Sequence, residues 1–141
     1  MIYTIKKKLQ FLFKKFFYGL FKLLYKYISE FESANTNLNT EVKQSRLGNN
    51  LSYKVYFVKK SRIYTDTIND TAIISNNKVI EGPSFQIRDF KFENIKSNIV
   101  LTKGTPRLKK KFKGNLASLL TGGAGNNNYW HWLFDVLPRI K

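Results

Sequence analysis

The sequence contains no cysteine and has few acidic residues. Its 141 residues include no Cys, one His, three Pro, and nine Asp and Glu against 25 Lys and Arg. The absence of Cys excludes disulfides, thiolate metal sites and cysteine nucleophiles. The scarcity of acids leaves a net charge of +16, which predicts attraction to an anionic membrane, nucleic acid or phosphorylated substrates. Aromatic residues form 16% of the chain, too many for a disordered basic tail.

Residues 2–31 have the periodicity of an amphipathic helix. Lysines interrupt them every few positions, whereas a transmembrane span needs about 20 nearly continuous apolar residues. On a helical wheel, one broad face is apolar and the opposite face carries lysines. The apolar face contains Ile5, Leu9, Leu12, Phe13, Phe16, Leu20, Leu23, Leu24 and Tyr27, and the lysine face contains Lys7, Lys8, Lys14, Lys15, Lys22 and Lys26.

This pattern is typical of a helix that lies in the membrane interface. A signal peptide is not expected, because lysines break the apolar core and no cleavage site with small residues follows. The other interpretation is an ordinary amphipathic helix that packs on its own domain. We expect residues 1–31 to bind an anionic membrane surface, because each lysine near such a leaflet contributes about 1 kcal/mol.

Residues 32–50 are predicted to form a polar linker, because the apolar period gives way to Asn, Ser and Thr. Several short segments after the linker have the composition of strands. These segments are 52–58, 62–65, 72–75, 78–80, 84–88 and 99–101, with tight turns at Asn76-Asn77 and Gly82-Pro83.

Residues 103–113 carry six basic side chains and no acid. The ordinary interpretation of such a run is a solvated loop, and the other is a contact with membrane headgroups. A nucleic-acid interface would combine this charge with stacking aromatics in a recognisable module, and only Phe112 is at hand. We therefore do not expect nucleic acid to be a partner.

Residues 116–140 have the pattern of a buried parallel strand at 116–120, a glycine-rich turn and a helix from about Tyr129. Such a unit opens an α/β fold, whose ligands gather at the carboxyl ends of its strands. The turn is not a dinucleotide fingerprint, because Asn128 occupies the third glycine position. It is not a Walker loop either, since no Gly-Lys-Ser/Thr follows.

The only histidine, His131, lies four residues before Asp135. In a helix this spacing puts both side chains on one face. A carboxylate at that position can orient a neutral imidazole and stabilise its protonated form, as general-base catalysis requires. A histidine between two tryptophans is also commonly a packed, hydrogen-bonded residue, so the spacing alone leaves both interpretations open.

The run GNNNYWHWLFDVLPR, residues 125–139, closely resembles the hallmark motif of glycosyltransferase family 61. Residues 51–141 are more broadly similar to bacterial members of that family. The resemblance implies an inverting transferase of the two-domain GT-B kind, with a nucleotide-sugar donor and neither an obligatory metal nor another cofactor. It implies that His131 accepts the proton of the acceptor hydroxyl while Asp135 orients its ring. The matching glycine-turn residues, implied to bind substrate, are Gly123, Gly125 and Asn126.

The predicted fold class is therefore α/β: an amphipathic helix, then short strands and hairpins that lead into the first, incomplete part of a GT-B (Rossmann-like) domain at 51–141. Family members continue well beyond the motif, so we expect the N-terminal portion of an enzyme, inactive alone. We expect it at the cytoplasmic face of the bacterial inner membrane, where a sugar passes to a glycan or lipid-linked acceptor of the cell surface. The alternative is a non-catalytic peripheral membrane protein, or a degenerate remnant, that acts through the helix.

Overall fold

The computed structural model describes residues 2–47, 51–65 and 69–118. Within these residues an N-terminal helix precedes mixed β-sheets and two short helical segments. The elements in chain order are α1 (Ile2–Tyr25), β1 (Glu30–Ser33), β2 (Thr40–Leu47), β3 (Leu51–Val58), β4 (Arg62–Thr65), β5 (Asp70–Ser75), β6 (Lys78–Glu81), β7 (Phe85–Arg88), β8 (Lys91–Phe92), a 3-10 turn (Ile95–Ser97) and α2 (Ile99–Lys103).

The first helix ends earlier than its sequence periodicity predicts. Helix α1 stops at Tyr25, and Lys26 adopts a left-handed conformation with φ of 62°. The chain then turns so that Ile28 is completely buried and Glu30–Ser33 pairs in parallel with β6. Burial of one isoleucine and a strand pairing thus override the local helical pattern of residues 26–31.

The segment predicted as a polar linker, 32–50, contains the end of β1 and all of β2. Strand β2 pairs antiparallel with β3 in a separate two-stranded sheet, with Thr40 opposite Val58. The sequence of β2 lacks the apolar alternation that is typical of a strand, because the ribbon has no single buried face that would require it. The turn before β2 is organised by the buried amide of Asn37, which accepts hydrogen bonds from the Asn39 N–H and the Thr40 hydroxyl, both at 3.0 Å.

The larger sheet has the order β1-β6-β5-β7-β8, and β4 also pairs with β5. Strand β1 is parallel to β6, whereas the other pairs are antiparallel. The predicted tight hairpin is confirmed, because Asn76 and Asn77 connect β5 to β6 with φ of 48° and 65°. Both residues occupy the left-handed region that two-residue hairpin turns require.

The core lies along β5, which is buried over its whole length. Its apolar cluster contains Ile28, Tyr64, Ala72, Ile74, Val79 and Val100. Helix α2 supplies Val100, so the predicted strand at 99–101 is wrong. The Asn98 side chain caps α2 by accepting a hydrogen bond from the Val100 N–H at 3.0 Å, and Gly104 ends it with φ of 71°.

The described part of the predicted strand at 116–120, residues 116–118, has no regular secondary structure, and Leu116 is exposed. The described part of the chain is thus a helix joined to mixed sheets. A GT-B fold was predicted for 51–141, and the residues described within that range do not show one.

Candidate membrane-binding surface

Helix α1 carries a long exposed apolar stripe. Leu9, Phe16 and Leu23, spaced two helical turns apart, are 61%, 67% and 83% exposed. The stripe is completed by Ile5, Leu12, Phe13, Leu20 and Leu24, all of them exposed. A monomeric soluble protein rarely shows a continuous apolar surface of this size unless a partner or a membrane covers it.

The stripe is not the face by which α1 contacts the rest of the described chain. Contact is made at the last turns of the helix, where Phe21, Lys22 and Tyr25 are half-buried. The Lys22 ammonium donates a hydrogen bond to the Thr102 carbonyl at 3.2 Å, and it lies 4.7 Å from the centroid of the Tyr27 ring. The helix thus docks through a side that includes a lysine, whereas its apolar side faces away.

The predicted membrane-binding lysines divide into two groups. Lys22 is half-buried and takes part in the junction with α2, so its ammonium is directed to the protein itself. The others, which lie along the helix or directly after it, are exposed: Lys7, Lys8, Lys14, Lys15 and Lys26. They lie on the face opposite the stripe, and α1 contains no acidic residue, as is typical of helices that lie on anionic bilayers.

Two aromatic rings of the stripe, those of Phe13 and Phe16, pack against the ring of Phe17 at its edge. The centroid of the Phe17 ring lies 4.4 Å from that of Phe13 and 5.5 Å from that of Phe16. Such contacts hold the rings in place on the helix surface, which reduces the entropy that they would lose on entering an interface. Within the described residues no helix is long and apolar enough to cross a membrane.

The predicted catalytic pair His131 and Asp135, and the predicted substrate-binding residues Gly123, Gly125 and Asn126, lie outside the described residues. Their roles remain predictions from the motif. Among the residues that the structure does describe, no group of three or more His, Asp or Glu side chains is placed to hold a metal ion.

A second basic cluster was missed by reasoning from sequence. It lies where the end of α1 meets β4 and the loop after α2, and it contains Arg62, Lys109 and Lys111. The only signal was the basic run at 103–113, which did not indicate that the loop returns to Tyr25.

Comparison with protein-family models, with curated proteins and with solved structures found no match to this chain. The resemblance to glycosyltransferase family 61 therefore rests on the motif at 125–139 and on the residues before it.

Proposed function

We propose that this chain attaches to an anionic membrane surface through α1 and contributes the motif at 125–139 to an inverting glycosyltransferase that acts there. The observation that carries the attachment is the exposed stripe on a helix that docks to the protein by its other side. A stripe of this kind would be unfavourable in water, and the exposed lysines on the other face of the same helix are suited to lipid phosphates.

The energetics favour a reversible peripheral attachment. Full burial of one Leu or Phe side chain contributes roughly 1.5–3 kcal/mol, and each lysine near an anionic leaflet adds about 1 kcal/mol. Association costs several kcal/mol of lost translational and rotational freedom. A few inserted side chains of the stripe, together with the exposed lysines of the helix, therefore suffice to hold the protein at the surface.

The transferase part of the proposal is supported by the motif resemblance alone. His131 would accept the proton of the acceptor hydroxyl as its oxygen attacks the anomeric carbon of the donor sugar. The nucleotide would leave from the opposite face, so the configuration inverts. Asp135 would orient the imidazole, and the turn with Gly123, Gly125 and Asn126 would contact the substrate. The acceptor that best matches a membrane-bound enzyme is a lipid-linked glycan precursor, and the fold proposed for this part is GT-B.

The alternative function is a non-catalytic peripheral membrane protein that acts through α1. It shares the attachment but needs no reaction at His131. The two proposals therefore agree on membrane binding and differ only in sugar transfer, so they require separate experiments.

Attachment is tested by co-sedimentation of the purified chain with phosphatidylglycerol vesicles. Deleting residues 1–31 would also remove Ile28 from the core, so point variants are preferable. We expect Phe16→Asn combined with Leu23→Asn to lower the vesicle partition coefficient by a factor of about ten or more. The control is Phe90→Asn, which removes a fully exposed ring in the turn between β7 and β8. Equal partitioning of all three proteins would contradict attachment through the stripe.

Sugar transfer is tested in membranes from cells that express the gene in its complete reading frame, with radiolabelled nucleotide sugars as donors. If His131 is the general base, His131→Ala lowers transfer by a factor of roughly 10²–10⁴ and leaves membrane binding intact. A wild-type chain that binds membranes without any transfer dependent on His131 would favour the non-catalytic alternative.

A further inference from the structure

Tyr25, the last residue of α1, brings together two basic residues that are distant in sequence. The Arg62 guanidinium donates a hydrogen bond to the Tyr25 carbonyl at 3.4 Å and another to the Thr105 hydroxyl at 3.4 Å. The backbone N–H of Lys109 donates to the Tyr25 hydroxyl at 3.3 Å. The Lys109 ammonium lies 4.1 Å from the centroid of the Tyr25 ring. One tyrosine thus holds Arg62 and the 105–111 loop side by side.

These cations are not neutralised by acidic side chains of the described chain. The salt bridges found there join Lys43 to Glu41, Lys78 to Glu30 and Glu32, and Arg88 to Asp70. None of them involves the cluster formed by Arg62, Lys109 and Lys111. The cluster therefore concentrates about three positive charges, which repel one another when no anion is bound.

The electrostatics of the cluster agree with this geometry. Burial lowers the pKa of Arg62 from its ordinary value. The pKa of Lys109 is also lowered, first by burial and then by the nearby charges of Arg62 and Lys111. A bound anion would reverse both effects, because it stabilises the protonated forms.

The cluster lies at one side of a wide groove between the β2–β3 ribbon, the larger sheet and the loop after α2. Its volume of about 2700 Å³ exceeds the ~300–1,000 Å³ of an enclosed small-molecule pocket, so the groove is open. The cluster is therefore accessible to a ligand that extends beyond it.

We propose that Arg62, Lys109 and Lys111 bind a phosphate or pyrophosphate group at the end of α1. The guanidinium of Arg62 offers paired N–H donors that match two phosphate oxygens, and the two lysines add point charges. Three cations complement the charge of pyrophosphate better than that of a single carboxylate. The site needs no membrane to form, but it rests on the proposed attachment when the phosphate is that of a lipid.

The phosphate can come from two sources with the same chemistry. It can be the headgroup or pyrophosphate linkage of a membrane lipid, since α1 ends at the site. It can also belong to a soluble ligand that enters the groove. Inorganic pyrophosphate tests the shared chemistry without vesicles, so its result does not depend on whether α1 binds membranes.

Isothermal titration of the full chain with inorganic pyrophosphate tests the site. We expect saturable binding that becomes on the order of tenfold weaker in Arg62→Gln and in Lys109→Gln. Glutamine removes the charge at each position and retains a polar side chain, and circular dichroism checks that each variant is folded. The matched control, Lys96→Gln, removes an exposed charge outside the groove and should bind as the wild type does. Absence of saturable binding, or equal affinities in all four proteins, would overturn the proposal.

Binding to lipid vesicles then distinguishes between the two sources of the phosphate. If the phosphate is that of a lipid, Arg62→Gln combined with Lys109→Gln also weakens binding to phosphatidylglycerol vesicles, and pyrophosphate competes with them. If the ligand is soluble, the double variant loses pyrophosphate binding but keeps its vesicle affinity. Both results support the site, and loss of the stripe residues Phe16 and Leu23 should leave pyrophosphate binding unchanged in either case.

Discussion

The side-chain hydroxyl of Ser84 takes the place of a neighbouring strand beside Ile73. Its oxygen accepts a hydrogen bond from the Ile73 N–H at 2.9 Å, and the hydroxyl donates to the Ile73 carbonyl at 3.4 Å. On this side of β5, strand β6 pairs with Ile74 and Ser75, and β7 pairs only with the first two residues of β5. Ser84 thus bridges the gap between β6 and β7 and satisfies backbone groups that are buried there.

Replacing Ser84 with Ala should therefore destabilise the protein. The Ile73 N–H would lose its partner in a buried position, which costs about 1–3 kcal/mol. The measurement is the free energy of unfolding in urea. Ser97→Ala, at an exposed serine of the 3-10 turn, is the control and should change that energy by no more than about 0.5 kcal/mol. Equal effects of the two changes would show that the hydroxyl of Ser84 is not needed.

Two apolar residues near the end of α1 should affect different properties of the protein, one its stability and the other its binding to membranes. Ile28 is completely buried in the core, whereas Leu23 is 83% exposed. Ile28→Ala should lower the free energy of unfolding by about 3 kcal/mol, because it leaves a cavity. Leu23→Ala should leave stability nearly unchanged and weaken binding to anionic vesicles. Urea unfolding and vesicle co-sedimentation of both variants test this, and a large loss of stability in Leu23→Ala would show that the stripe packs within the protein.

The ion pair between Arg88 and Asp70 should be important for stability. The Asp70 carboxylate is buried. The Arg88 guanidinium on β7 lies 2.9 Å from its Oδ1 and donates a hydrogen bond to its Oδ2 at 3.1 Å. Arg88→Met would leave this carboxylate without its guanidinium, at a cost of about 3 kcal/mol in the free energy of unfolding. Arg46→Met, at an exposed position of β2, is the matched control. Similar unfolding midpoints for the two variants would contradict the prediction.

Membrane binding should weaken as the salt concentration increases, because salt screens the attraction between the exposed lysines of α1 and the anionic lipid headgroups. Lys14→Gln and Lys15→Gln should each weaken binding to phosphatidylglycerol vesicles by about 1 kcal/mol at low salt, and by less at high salt. Lys91→Gln, on β8, serves as the control. Vesicle titrations over a range of NaCl concentrations measure the effect, and a binding constant that does not change with salt would exclude an electrostatic contribution.

The sequence predicted those strands whose signals are local. Strands β3 to β7 were identified because β-rich segments alternate with turns, and the turn at Asn76-Asn77 was correct in type. Strand β1 was not predicted, because it depends on pairing with β6, which lies more than 40 residues away in sequence. The sequence predicts a strand where α2 forms, because its short apolar run fits both structures; the signal for the helix is the cap at Asn98.

The candidate site could likewise be predicted from the sequence only where its features depend on neighbouring residues. The two faces of α1 could be read from its periodicity, since that depends on neighbouring residues only. Periodicity could not reveal that the apolar face is turned away from the protein, or that Lys22 faces inward. The cluster around Tyr25 was equally hidden, because it joins residues separated by 37 and 84 positions in sequence. Such relationships arise from the tertiary fold and leave no local trace.

The connection between α1 and the core has a mechanical consequence. Only Lys26 and Tyr27 separate the end of the helix from the buried Ile28, and the contacts of Lys22 and Arg62 brace the same junction. A tether this short permits little swivelling. A protein held at a bilayer by α1 would therefore keep a constant orientation, with the same side of its sheet toward the lipid, and would search for lipid-borne molecules by lateral diffusion in two dimensions.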